Sequence, residues 1–335
     1  MDKRDNDGAK GAPKPRGRRG IFVWMLVALG MVALGGIMLG IGWAAGSRGG
    51  NVSIERWFPP RVSVWPVRSG GADFEDSSAF EAFGPMDGIA EIRIAATSAS
   101  IAVVPAAPGD PAGARFGNLE PSLRRAGDAL IIDTRDYERR WTRSLNMFNF
   151  HYARREILVE LPAGWEGSVA ISNVNGGARV EDLSLASLEA GTTSGSIRLR
   201  GLSARALSLS ATNGAISGVG LDFIDGSARS VSGSIRFEDS SWESLTAGAT
   251  NGSIRVSGAR LGSRGSTRLT TVSGSVELEA LGAREDFSYS LSTVNGSIAV
   301  DGQRVGGRSA SGGSGAYQIA LRTTNGSIRL GFVSR

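Results

Sequence analysis

The 335-residue chain has no cysteine, so disulfide staples and thiolate metal sites are excluded. It has one histidine, His151, which removes most imidazole chemistry, and nothing suggests a positioned partner that would make that residue a catalytic base. Lysine is confined to Lys3, Lys10 and Lys14. These lie in a tail, residues 1–20, that holds seven basic groups against Asp2, Asp5 and Asp7 and so carries +4 of the formal +5 net charge. The rest is nearly neutral, and no nucleic-acid partner is expected. What abounds is glycine, 48 residues or about twice the usual share. The glycines do not recur every third residue, which excludes collagen and points to turns or a repeat. At 41% hydrophobic, the chain can bury a sizeable core in one or two domains.

From Ile21 to Ala45, 25 residues run without a charge, "IFVWMLVALGMVALGGIMLGIGWAA". That length spans a bilayer as a helix. Trp24 and Trp43 fall near its ends, and the basic tail predicts a cytoplasmic N-terminus with the remainder exported, periplasmic or extracellular. A signal peptide cleaved near "AAG" at 44–46 is the rival reading; the apolar run is longer than a signal core, which favours a retained anchor. Gly36, Gly40 and Ala44 could let two such helices approach, although membrane helices tolerate glycine in any case. Residues 46–87 are rich in Gly, Ser, Pro and mixed charge and read as a linker.

The remainder, 88–335, is organised by one phrase. "TTSGSIRLRG", "SVSGSIRFED", "ATNGSIRVSG" and "TTNGSIRLGF" are near copies. Aligned on their second corner residue, the glycines are Gly176, Gly195, Gly214, Gly233, Gly252, Gly274, Gly296 and Gly326, at intervals of 19, 19, 19, 19, 22, 22 and 30. A fixed short period means stacked units, each too small to bury its own apolar face. Two places after each glycine stand Ala178, Ile197, Ile216, Ile235, Ile254, Val276, Ile298 and Ile328, and the fourth place is apolar in all but Gly218. The places between are mostly Ser and Arg, so this arm is a strand with one buried face. An apolar column five places before the glycine, and another at seven before in six of the eight units, predict a second strand. Each unit therefore reads as strand, Asn-Gly or Ser-Gly corner, strand, with glycine supplying the corner's backbone conformation. The constant period favours a β-solenoid of ~19–22-residue coils over a meander, and a propeller blade needs about twice the length. "EIRIAATSASIAVV" fits the template with Ala99 in the glycine slot, so a first coil is placed at 88–104. Residues 105–165 bring other strands and a loop, and regular repeats fill 166–335.

One transmembrane segment followed by these "NGSIRL" and "SGSIRV" units resembles the bacterial adhesin-like family of β-strand-repeat domains of unknown function, related to the toastrack domains, over roughly 88–335. The resemblance implies an all-β, single-stranded, right-handed β-solenoid at the cell envelope, with adhesion or envelope-stress sensing as associated roles. It carries no catalytic residues to transfer.

Two binding candidates emerge from the residues. Three places after the corner glycine, Arg179, Arg198, Arg236, Arg255 and Arg329 would stack into a basic stripe, interrupted by Ser217, Glu277 and Ala299. Such a stripe suits an anionic lipid or acidic glycan; the plainer reading is that outward strand positions need soluble residues. The second candidate is the segment "RDYERRWTRSLNMFNFHYARRE" at 135–156, where Arg139, Arg140, Trp141, Arg143, Phe148, Phe150 and Tyr152 combine the residue types that anchor interfaces. Its plainer reading is a cap on the first coil. The chain stops directly after its last repeat, which leaves either an open strand edge inviting a homodimer or an edge covered by 302–316. Asp222 and Asp225, like Glu238 and Asp239, look like solvated coil edges rather than a placed pair of catalytic acids. The expected role is a membrane-anchored, non-enzymatic, cofactor-free module binding an envelope polymer or surface ligand. The alternatives are an envelope-stress regulator docking on another membrane protein and, least favoured by the acids present, a glycan-active enzyme.

Overall fold

Two stacked strands per repeat, joined at a glycine corner, are what the alternation of the sequence dictates, and they are what forms. The structure is a computed structural model. It describes residues 80–117, 119, 121–134 and 155–334. The expected tail at 1–20, membrane helix at 21–45 and most of the linker lie outside these; within them, no helix is long and apolar enough to cross a membrane. The described residues are almost entirely β, with one 3-10 turn at Arg284–Asp286.

A typical coil has a long arm, Ser184–Ser194, and a short arm, Ile197–Arg200. Its long arm pairs in parallel with Ser203–Asn213 of the next coil (Ser194↔Asn213), and its short arm with Ile216–Val219 (Ile197↔Ile216). Parallel neighbours sit about 4.8 Å apart, so equivalent residues become columns. The column two places after the corner, extended by Ile101 and Ile157, is nowhere more than 2% exposed. Fully burying a Val, Leu or Ile side chain contributes about 1.5–3 kcal/mol, and this ladder repeats that gain in every coil except the one where Ala178 stands.

Ten coils stack, numbered here in spatial order. Coils 3 to 8 follow the chain, from Ser168–Asn175 through to the strand Ile254–Ser273 and its successor Val276–Leu281. Both ends depart from chain order. The strands Ala129–Asp133 and Glu156–Leu161, which the sequence suggested as an interruption, form coil 1 and pair with Glu91–Ala96 and Ser100–Pro105, which form coil 2. At the other end, Tyr317–Asn325 and Ile328–Val333 make coil 9, which lies between coil 8 and the earlier residues Phe287–Asn295 and Ile298–Val300 of coil 10. The last repeat of the chain is therefore paired on both edges. Antiparallel strands Gln303–Val305 and Ser309–Gly312 cover the outer edge of coil 10, not the edge of the last repeat over which 302–316 was expected to fold. Coil 1 is covered by Ser122–Ala126 and Gly113–Arg115, with Phe80–Ala82 beyond. The open edge on which a homodimer was expected does not exist at the last repeat.

The corner glycine has a different cause from the one its turn suggests. Of the eight, only Gly176 and Gly274 have φ in the positive range that favours glycine. At every one, however, a β-carbon would fall closer than 3.0 Å to the carbonyl oxygen of the corner below, as Gly214 would over Gly195 and Gly326 over Gly274. The obstacle is backbone and cannot turn aside. In six of the eight steps that carbonyl accepts from the side chain three places before the next glycine; in the other two, Ala211 and Ala249 stand there. Thr192 donates to Gly176, Ser230 to Gly214, Thr271 to Gly252, Thr323 to Gly274 and Thr293 to Gly326, at 2.8–3.1 Å, and Asn173 Nδ2 donates to Ala99. At the opposite corner the left-handed residue is Asp or Gly, namely Asp182, Gly201, Gly220, Asp239 and Gly258. The carboxylates of Asp182 and Asp239 occupy the space a β-carbon would need at Gly201 and Gly258, so each of these Asp residues is followed by Gly in the stack.

Gly214→Ala should therefore lower unfolding stability by about 3 kcal/mol or more, whereas Gly331→Ala, with nothing within 4 Å, should stay within about 0.5 kcal/mol. Thr323→Val should cost about 1–2 kcal/mol by stranding the Gly274 carbonyl. Urea unfolding midpoints of the three variants check both claims.

Candidate functional site

The arginine column forms, but not as a uniform stripe. Arg198 lies directly over Arg179, and Arg255 over Arg236, with Ser217 between the two pairs. Glu277 follows, and because of the altered coil order Arg329 comes next, before Ala299. Glutamates temper it. Arg255 Nε bonds Glu277 at 2.8 Å, Arg179 meets Glu181 at 3.5 Å and Arg236 meets Glu238 at 3.6 Å. These exposed pairs each contribute only about 0–1 kcal/mol to stability, but they offset the charge of three of the five arginines. Among the described residues, Arg198 and Arg329 have no ion pair. The other predicted constellation, Arg139, Arg140, Trp141, Arg143, Phe148, Phe150 and Tyr152, lies outside the described residues.

A feature that the sequence reading missed stands on a third side of the stack. Each long arm bends after its first three residues, Ser184–Leu185–Ala186 in coil 4, and the bend leaves a groove of about 670 Å³ running along the axis. One wall is the column Ser184, Ser203, Asp222, Ser241, Arg260; the other is Ala186, Arg205, Ile224, Glu243, Gly262. Four intervals at the ladder spacing make it about 19 Å long. At one end stands Glu166. At the other, the ladder partner jumps from Trp242↔Leu261 to Ser244↔Ser266, so the three residues that lengthen the repeat from 19 to 22 bulge there.

The core beneath the groove is rebuilt around aromatics. Phe223 and Trp242 stack at 5.5 Å and 12°, and Phe237 tilts against Trp242 at 6.4 Å. The exceptions in the apolar columns fall here for that reason. A β-carbon at Gly218 would strike Leu221 first and then Phe237, and one at Gly226 would strike Phe223. Thr267 replaces leucine because the buried Trp242 Nε1 needs an acceptor, which Thr267 Oγ1 supplies at 2.8 Å while also pairing with the Tyr317 hydroxyl at 2.8 Å. This network ties coils 7, 8 and 9 together where the repeat length changes. On the groove wall, Ser241 donates to Asp222 Oδ1 at 2.7 Å. Asp222, set aside on sequence grounds as a coil edge, is thus held in place. No group of metal-ligating residues occurs among the described residues.

These features define a capped parallel β-solenoid with an axial groove. A family model described as Toastrack DUF4097 matches residues 89–331, and the chain belongs to that family. Among solved structures it is similar to a candidate cell adhesion protein from Clostridium sporogenes, with 9% identity, 76% of this chain and 99% of that one covered, and a TM-score of 0.28. No curated protein matches the chain.

Burial pushes the Tyr317 hydroxyl up to about 12 from 10.0, against its hydrogen bonds with Thr267 and Trp242. Above pH 10 the unfolded chain releases this proton while the folded one keeps it, so stability present below pH 10 is lost as pH rises toward about 12. Unfolding midpoints between these values should fall in the wild type, and Tyr317→Phe should flatten that part of the decline.

Proposed function

We propose that the chain is a membrane-anchored binding module whose exported solenoid engages a repeating envelope polymer laid along its axis, without turning it over. The observation that carries this reading is the columnar surface. One side chain per coil recurs at the ladder spacing over many coils, in the arginine column and in both groove walls. A repeating polymer can use such a surface at every step, so that many weak contacts add up to avidity. A compact partner touches only a few coils. The charge-free run at 21–45 behind a basic tail supports anchorage with the N-terminus in the cytoplasm and the solenoid outside.

The test is crosslinking in intact cells with the tagged full-length chain, followed by identification of what is captured. Envelope polymer is the expected product. A single discrete membrane protein, lost when the 21–45 segment is exchanged for an unrelated transmembrane helix, would replace this reading with that of a docking regulator. External protease should remove the solenoid and leave the tail intact; the reverse pattern would contradict the topology.

A further inference from the structure

We infer that the groove lined by Arg205, Asp222, Ile224, Glu243 and Arg260 is the binding site for an uncharged linear glycan running parallel to the solenoid axis. The inference rests on the polymer-binding reading and assigns its site and ligand chemistry.

The groove's chemistry selects against the other common polymers. Every long arm from coil 4 to coil 7 is hydrogen-bonded to a neighbour on both sides. A groove that crosses these laddered arms along the axis presents no free sheet edge, so an extended peptide lying in it cannot bind by adding a strand. Recognition must come from side chains. The lining holds three acids, Glu166, Asp222 and Glu243, against two bases, Arg205 and Arg260, which is the wrong balance for nucleic acid or any polyanion.

What the groove offers suits a sugar chain. Along the axis the charged groups run Arg205, Asp222, Glu243, Arg260, one per coil, and no ion pair among the described residues joins any of them to another. A carboxylate with free lone pairs can accept from two neighbouring hydroxyls, and a guanidinium can donate to hydroxyl or amide oxygens. Asp222 is oriented for this by Ser241, which occupies only Oδ1. Between the acids stands Ile224, 45% exposed. The same wall position in other coils is Ala, Arg, Glu or Gly, and four of the other exposed large hydrophobics belong to a separate column, Val174, Val231, Val272 and Val294. An aliphatic side chain standing alone among free acids and bases matches a pyranose ring, which has an apolar C–H face and a polar rim. The volume of about 670 Å³ lies within the range of ordinary ligand sites.

The test is calorimetric titration of the full-length chain in detergent with cellohexaose, chitohexaose and maltohexaose, and with polyglutamate as the anionic comparison. At least one hexasaccharide should bind, with affinity nearly unchanged between about 50 mM and about 500 mM salt, because no net charge is neutralised. Ile224→Lys and Glu243→Ala should each weaken it about tenfold or more. Ser210→Lys, on the outer face of the long arm, should not. Both groove residues are exposed, and unchanged thermal midpoints would show that the variants fold. Sugar binding unaffected by either groove variant would overturn the site. Salt-sensitive binding of polyglutamate alone, lost in Arg198→Glu, would overturn the glycan assignment and leave the polymer reading standing. Binding of neither kind of polymer would overturn both.

Discussion

The stack depends on a backbone oxygen that occupies the place of a missing β-carbon. At ladder spacing, successive corners come so close that each carbonyl fills the space a side chain would take on the corner above. Glycine is the residue that leaves that space free. The oxygen so enclosed needs a donor, and in most coils the residue three places ahead of the next glycine supplies a hydroxyl. Two chemical requirements at one fixed offset account for the repeated phrase: a small hydroxyl residue, a β-branched residue facing out, Asn or Ser, then Gly. The aliphatic ladders supply most of the stabilisation. The corner sets the register in which they meet.

One template repeated many times also makes neighbours interchangeable. The aliphatic columns of coil 9 do not distinguish stacking on coil 8 from stacking on coil 10, since the pairs Val276↔Ile328 and Ile298↔Ile328 are chemically alike; the Tyr317–Thr267 hydrogen bond to coil 8 is the specific contact. The chain uses this freedom at both ends. The coil nearest each end of the repeat domain is tucked one place inward, and the coil left outside is closed by antiparallel strands. A solenoid ending on its last parallel strand would present a row of unpaired backbone groups to other chains. Antiparallel strands turning back on the outermost coil remove that row.

The parts of this architecture that were legible in the sequence are those in which a column keeps one residue type. The period, the two strands of each coil, the buried positions and the fit of Ala99 to the corner slot follow from Ile, Leu and Gly recurring in register. Mixed columns were opaque. The hydroxyl position holds Thr192, Ala211, Ser230 and Asn173 by turns and reads as neither polar nor apolar. The left-handed corner mixes Asp and Gly because each Asp carboxylate needs a Gly above it. The groove walls combine Ser, Asp, Arg, Ala, Ile and Glu, and the bend that makes them concave has no residue signature. The substitutions beneath them, Gly218, Gly226 and Thr267, look like defects in the repeat until Phe237, Phe223 and Trp242 are seen to fill or require them. Coil order was beyond reach for the reason that makes the fold possible, since like columns encode no unique neighbour.

Function follows from the same geometry. A stack presents its surface as lines, and a line of chemistry suits a ligand that is itself a line. The arginine column and the groove differ in the chemistry they present, because one is basic and interrupted while the other combines acids and bases outside any ion pair with an exposed aliphatic side chain. Both depend on the register set at the glycine corners, and the most demanding statement of that register is that Gly326 stacks between Gly274 and Gly296. The chain's lack of cysteine makes this directly measurable. Paired substitutions at the preceding residue, Ser273→Cys with Asn325→Cys and Asn325→Cys with Asn295→Cys, are predicted to form disulfides under mild oxidation, because these residues are ladder partners. Ser273→Cys with Asn295→Cys is predicted to stay reduced. The 295/325 pair is adjacent in either order and serves as the positive control; a disulfide between positions 273 and 295, with none between 273 and 325, would mean that the coils stack in chain order and that the interleaved end is wrong.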